Sequence, residues 1–158
     1  MSLETVKNYF KKYGRAKDVL EFRESSATVE LAAQALNVIP ARIAKSLSFA
    51  SDKGCILIVA AGDTKVDNSR FKAEFGFKAK MLSPDEVLEF TGHAVGGVCP
   101  FGIENKDVKI FIDISLKRFE TVFPACGSSN SAIELDCDEL YKYSQGLKWV
   151  DVCKNWKD

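Results

Sequence analysis

The sequence predicts a mixed α/β fold of the α+β type, with a mostly antiparallel mixed sheet closing into a partly open barrel and helices at the periphery. Three observations predict it. Helical and strand patterns interleave along the whole chain without strict βα alternation. The strand patterns Ile43 to Phe49 and Cys55 to Ala61 are joined by a short turn, which favours antiparallel pairing. The run Cys55-Ile56-Leu57-Ile58-Val59-Ala60-Ala61 is apolar throughout, so it needs cover on both faces and belongs in the middle of a sheet.

Each element follows from its residues. Ser2 can cap a first helix in which Leu3, Val6, Phe10 and Tyr13 recur at helical spacing, and Gly14 ends it. Asp18 to Phe22 alternates as a half-buried strand. Thr28 caps a second helix carried by Val29, Ala32, Ala33 and Leu36 and stopped by Asn37 and Pro40. In the strand from Ile43, the residues Lys45, Leu47 and Phe49 share a face. Gly62-Asp63 breaks the apolar strand, and a helix from about Asp67 to Phe75 closes at Gly76. Lys78 to Leu82 is extended. Ser83-Pro84-Asp85-Glu86 combines a serine cap, proline at the first position and glutamate three residues on, and its helix stops near Gly92. Strands follow at Val108 to Ile114, Glu120 to Pro124 and Ala132 to Leu135. Asp136-Cys137-Asp138-Glu139 repeats the capping box for a last helix to about Ser144, and Lys148 to Cys153 is the final strand.

A chain of 158 residues, 46% hydrophobic and 28% charged, suits one domain spanning residues 1–158. No apolar run approaches the roughly 20 residues that span a bilayer. The polar start Met1-Ser2-Leu3-Glu4-Thr5 does not read as a secretory signal, so the expected location is the cytoplasm, away from membranes. The 5 cysteines are scattered and the single histidine, His93, has no ligand partner nearby, which argues against a zinc site or disulfide framework. The 22 basic and 22 acidic residues cancel, so a nucleic-acid substrate would be gripped over a small part or with help from a partner.

Two features can carry chemistry. In Thr91-Gly92-His93-Ala94-Val95-Gly96-Gly97-Val98-Cys99-Pro100-Phe101-Gly102, the glycines permit a loop that converges N–H groups on one spot, as acyl transfer requires. Read alone, it is equally an ordinary connection with tight turns. Lys45 can place an ammonium in a cleft to bind a phosphate or developing negative charge, or it can snorkel to water at a strand edge. His93 can act as a base or a structural hydrogen-bonder. Cys99 is a poor nucleophile candidate, having one histidine at most to activate it. The Gly127-Ser128-Ser129-Asn130 turn and the basic cluster Lys7, Lys11, Lys12, Arg15 and Lys17 have solvated-surface readings of their own.

In order along the chain, Thr28-Val29-Glu30-Leu31-Ala32-Ala33, Lys45-Ser46-Leu47, His93-x-x-Gly96-Gly97-x-x-Pro100-x-Gly102, Val108 to Asp113, Phe119 to Val122 and Gly127 to Leu135 resemble the YbaK/EbsC family of prolyl-tRNA-synthetase-associated editing domains. The resemblance implies hydrolysis, without a metal or other cofactor, of the ester joining a wrong amino acid (cysteine, alanine or another small residue) to the acceptor end of tRNA, typically tRNA(Pro). It implies catalytic roles for Lys45, Gly96 and Gly97, with Lys45 near the terminal nucleotide and the loop backbone holding the aminoacyl group. It extends substrate binding to Phe22, Thr28, Ser46, His93, Val98, Pro100, Gly102, Gly127 and Asn130. Prolyl-tRNA synthetase is the implied partner, and attack by water or a substrate group removes the need for Cys99. The Cys-tRNA(Pro) deacylases of the family have Tyr in place of His93 and Gly-Lys-Arg-Gly in place of Gly127 to Asn130. A non-catalytic module that binds aminoacyl-adenosine or a synthetase is the alternative.

Overall fold

The computed structural model describes residues 2–156. Helix α1 (Ser2–Lys11) is followed by a 3-10 turn at Ala16–Asp18 and the two-residue strand β1 (Leu20–Glu21), so the strand expected from Asp18 is shorter. Ser2 lies inside α1 rather than before it, and its hydroxyl contacts the His93 ring. Helix α2 (Val29–Leu36) starts where expected, with the Thr28 hydroxyl accepting from Leu31 N–H. Strand β2 (Ile43–Ser51) turns through Asp52-Lys53 into β3 (Gly54–Ala61), whose residues after Gly54 are all buried. Strand β4 (Lys65–Val66), absent from the sequence reading, precedes α3 (Asn68–Phe75), which Asp67 caps. Helix α4 (Pro84–Thr91) has the complete Ser83–Glu86 capping box.

Strand β5 (Val108–Asp113) ends in a 3-10 segment, Ile114–Arg118, nucleated by Asp113 accepting from Ser115 N–H. Strand β6 (Thr121–Pro124) follows. The segment expected as one strand from Ala132 splits into β7 (Ser131–Ala132) and β8 (Leu135–Asp136), which pair with different partners. Helix α5 (Cys137–Ser144) carries the Asp136–Glu139 capping box. The last expected strand likewise splits into β9 (Lys148–Val150) and β10 (Cys153–Lys154), because Asp113 draws Val152 N–H out of line.

The main sheet has the order β8-β6-β2-β3-β5-β9 and curls into a half-barrel. The β2–β3 and β6–β8 pairings are antiparallel, whereas β2–β6, β3–β5 and β5–β9 are parallel. Two small antiparallel ladders, β1–β7 and β4–β10, tie the ends of the chain to this frame. Side-chain alternation along β3 divides the core. Cys55, Leu57 and Val59 face a cluster with Phe10, Phe101 and Leu140, while Ile56, Ile58 and Ala60 face one with Phe49 and Phe71. Among the described residues no helix is long and apolar enough to cross a membrane.

Candidate functional site

A cleft of about 420 Å³ opens beside β2, between α2, the start of α4 and the glycine loop. Its walls are mainly apolar, and its polar lining consists of the hydroxyls of Ser26, Thr28, Ser46, Ser48 and Ser131 together with Lys45. Lys45 is the one ionisable side chain among the described residues that line it. A mostly apolar concavity with few polar groups is the usual form of a small-ligand site.

The seat of Lys45 is built by the turn after β3. Arg118 holds Asp63 with two bonds, Nη1 to Oδ2 at 3.0 Å and Nη2 to Oδ1 at 2.6 Å, which keeps the Asp63 carboxyl below its ordinary range. Thr64 Oγ1 donates to Ala61 O at 2.7 Å. The turn so fixed offers carbonyl oxygens to Lys45 Nζ, which donates to Gly62 O at 3.4 Å and to Thr64 O. Among the described residues no carboxylate forms an ion pair with Lys45. Burial is the main influence on its ammonium and lowers its pKa. A half-buried cation held only by neutral oxygens retains its attraction for an anion, such as a phosphate.

The loop expected to converge N–H groups is organised differently at its two ends. Ala94 to Gly97 forms a β-turn closed by Gly97 N–H donating to Ala94 O at 3.0 Å, with Gly96 at φ +97°, a conformation that favours glycine. The Gly97 amide is therefore committed within the loop and is not free to hold a carbonyl. Gly97 instead allows close packing, since a Cβ there would lie 2.8 Å from the Gly127–Ser128 peptide. Gly96 and Val98 line the cleft, while Pro100 and Gly102 line a separate, more polar hollow against α1.

His93 is 1% exposed and does not line the cleft. Its Nε2 lies 2.9 Å from Phe101 O, an acceptor, so Nε2 carries the proton and Nδ1 accepts from Ser2 Oγ. Burial lowers its pKa. This histidine ties α1 to the loop. Cys99 Sγ packs against the same ring, and burial pushes its thiol up to about 12, so no thiolate is available for attack. Burial likewise raises Cys126.

Of the other expected binding residues, Thr28 and Ser46 line the cleft. Phe22 and Asn130 hold one another: Phe22 N–H donates to Asn130 O at 2.8 Å, and Asn130 Nδ2 donates to Phe22 O at 2.9 Å. Neither they nor Gly127 line the cleft. In the basic cluster Lys7 pairs with Glu21, and Arg15 lies between Asp18 and Glu139. Ser26 is the residue that the sequence reading missed. It lines the cleft, and its Oγ, like that of Ser46, is buried without a hydrogen-bond partner. Within Glu24-Ser25-Ser26 nothing in residue type sets it apart. Among the described residues no cluster of His, Cys, Asp or Glu is placed to hold a metal.

The sequence pattern of the aminoacyl-tRNA editing domain matches residues 23–143. The uncharacterized protein YwhH of Bacillus subtilis (strain 168) is 58% identical over 158 residues, 99% of this chain and 100% of that protein. A proline--tRNA ligase of Thermosipho africanus (strain TCF52B) is 31% identical over 150 residues, which cover 92% of this chain and 26% of the ligase. A crystal structure described as a candidate trans-editing enzyme for prolyl tRNA synthetase superposes with a TM-score of 0.87 at 28% identity, covering 98% of each chain.

Proposed function

The chain belongs to the aminoacyl-tRNA editing domain family, and on that basis we propose that it is a deacylase acting in trans on mischarged tRNA, with tRNA(Pro) carrying a small amino acid such as alanine or cysteine as the expected substrate. The observation that carries this reading is Lys45, held by main-chain oxygens without a carboxylate partner, in the wall of a cleft otherwise lined by hydroxyls and apolar groups. The relatives support it: about a quarter of the ligase resembles nearly the whole of this chain, and the trans-editing structure shares its fold. The site would work in the cytoplasm, beside prolyl-tRNA synthetase.

Lys45 would anchor a phosphate of the terminal nucleotide, and main-chain N–H groups of the cleft wall would polarise the ester carbonyl. A water oxygen bonds to the carbonyl carbon, the ester C–O bond breaks, and the departing ribose oxygen takes up a proton. No carboxylate, imidazole or thiol lines the cleft among the described residues, so we assign the proton transfer to a ribose hydroxyl or another substrate group.

That same lack of a carboxylate, imidazole or thiol favours one competing reading, a module that binds aminoacyl-adenosine without turnover. Purified protein, with prolyl-tRNA synthetase present, should release amino acid from at least one member of a panel of mischarged tRNA(Pro). Binding of the aminoacylated end with no release from any member would establish the binding module instead.

A further inference from the structure

Strand β2 is hydrogen-bonded along its outer edge in two separate stretches, and the gap between them lies in the cleft. On the inner edge, the Asp52-Lys53 turn sets the alternation with β3, so residues 51, 49, 47 and 45 exchange main-chain bonds with that strand. Residues 50, 48, 46 and 44 therefore direct their N–H and C=O groups outward. Ala50 N–H donates to Lys80 O at 2.8 Å, and Ser48 O accepts from Leu82 N–H at 3.1 Å. At the other end β6 pairs with Ile43 and Ala44 and goes no further.

Between these stretches, the N–H and C=O of Ser46 have no main-chain partner among the described residues. Its Oγ is also unbonded. The cause lies in a distant part of the chain. One more step of the ladder that pairs Met81 with Phe49 would bring residue 84 to Ser46 O, and Pro84 has no N–H to give. The Ser83 cap turns the chain into α4 at that point, which leaves the edge open.

A group that fills this gap must offer an acceptor to Ser46 N–H and a donor to Ser46 O, spaced as in one residue of an antiparallel strand. An α-aminoacyl ester has both in a single unit: its carbonyl oxygen and its α-ammonium. We infer that the aminoacyl group of the substrate docks as a one-residue β-bridge on Ser46, an inference that rests on the editing function proposed above. Ser46 N–H polarises the carbonyl that water attacks, and Ser46 O holds the ammonium. Side chains alternate along β2, so Lys45 projects from the opposite face and is left to the nucleotide. The carbonyl-binding role that sequence reasoning gave to the glycine loop moves to the strand edge, and Gly96 and Val98 bound the opposite side of the cleft.

The test uses two non-hydrolysable probes, alanine joined by an amide to 3′-amino-3′-deoxyadenosine and the propionyl counterpart without the α-amine. Ser46→Pro deletes an N–H that faces away from β3, so the β2–β3 ladder keeps its bonds. By titration calorimetry, Ser46→Pro should weaken the alanyl probe at least roughly tenfold. Wild type should prefer the alanyl over the propionyl probe by at least about tenfold. Equal binding of the alanyl probe by Ser46→Pro and wild type overturns the bridge. Equal binding of the two probes by wild type overturns it as well, without needing the variant to fold. Binding is read without turnover, so the two readings separate. A protein that binds as expected but deacylates nothing keeps the bridge and loses the deacylase, whereas Ser46→Pro working at the wild-type rate does the reverse.

Discussion

Two polar regions meet the Ala94–Gly102 loop, one at each end, and they are completed in opposite ways. Around His93 every visible group is matched: Ser2 Oγ donates to one ring nitrogen, the other donates to Phe101 O, and Cys99 fills the remaining space. Around β2 the matching stops. Lys45 has only neutral oxygens, Ser26 and Ser46 keep unbonded hydroxyls, and the Ser46 main chain faces the cleft. Buried polar groups are normally satisfied, so the matched region reads as scaffold and the unmatched one as the place where a ligand completes the bonding.

The largest separation of the two should come from Lys45→Met. Losing the phosphate anchor should lower deacylation at least roughly 100-fold. Stability should move the other way. The folded state depresses the Lys45 pKa, so the charging penalty applies fully at neutral pH and lifts only as pH rises towards the unfolded value of 10.5. Methionine removes that penalty, and the melting temperature at pH 7 should rise. A fall in melting temperature would show Lys45 to be part of the scaffold.

His93→Ala should do the converse, with a stability loss of about 2 kcal/mol from the unpaired Ser2 hydroxyl and Phe101 carbonyl and the lost packing. It also carries a pH signature. The folded His93 pKa lies below its ordinary 6.5, so its contribution is complete above that pH and declines as pH falls through 6.5 towards the folded value. Melting curves at pH 7.5 and pH 5 should converge for wild type and the variant on the acid side. A difference that stays constant with pH would contradict the assignment. The smallest effect is expected from Cys99→Ala: about 1 kcal/mol of stability from a small cavity, with deacylation within about twofold of wild type. Loss of activity there would restore a nucleophilic cysteine.

Local chemistry made much of this fold legible. Thr28, Ser83 and Asp136 announce their helices because a capping bond joins residues three apart, and the run to Ala61 announces a central strand. What stayed hidden depends on distant partners. The parallel β2–β6 pairing joins Ile43 to Phe123, and the split of residues 131–136 arises because β7 and β8 serve different strands. The site divides along the same line. Lys45 and Gly96 were visible as unusual residues. The commitment of Gly97 N–H, the withdrawal of His93 into a packed corner and the open edge at Ser46 were not, since the last depends on a missing N–H at Pro84.

The most direct measurement is single-turnover deacylation of mischarged tRNA(Pro) by wild type, Lys45→Ala and His93→Ala, each at equal folded concentration set from its melting curve. The expected result is a Lys45→Ala rate at least roughly 100-fold below wild type, with His93→Ala within about tenfold of it. Equal losses in the two variants, or none in Lys45→Ala, would contradict the assignment of the site to the unmatched edge of β2.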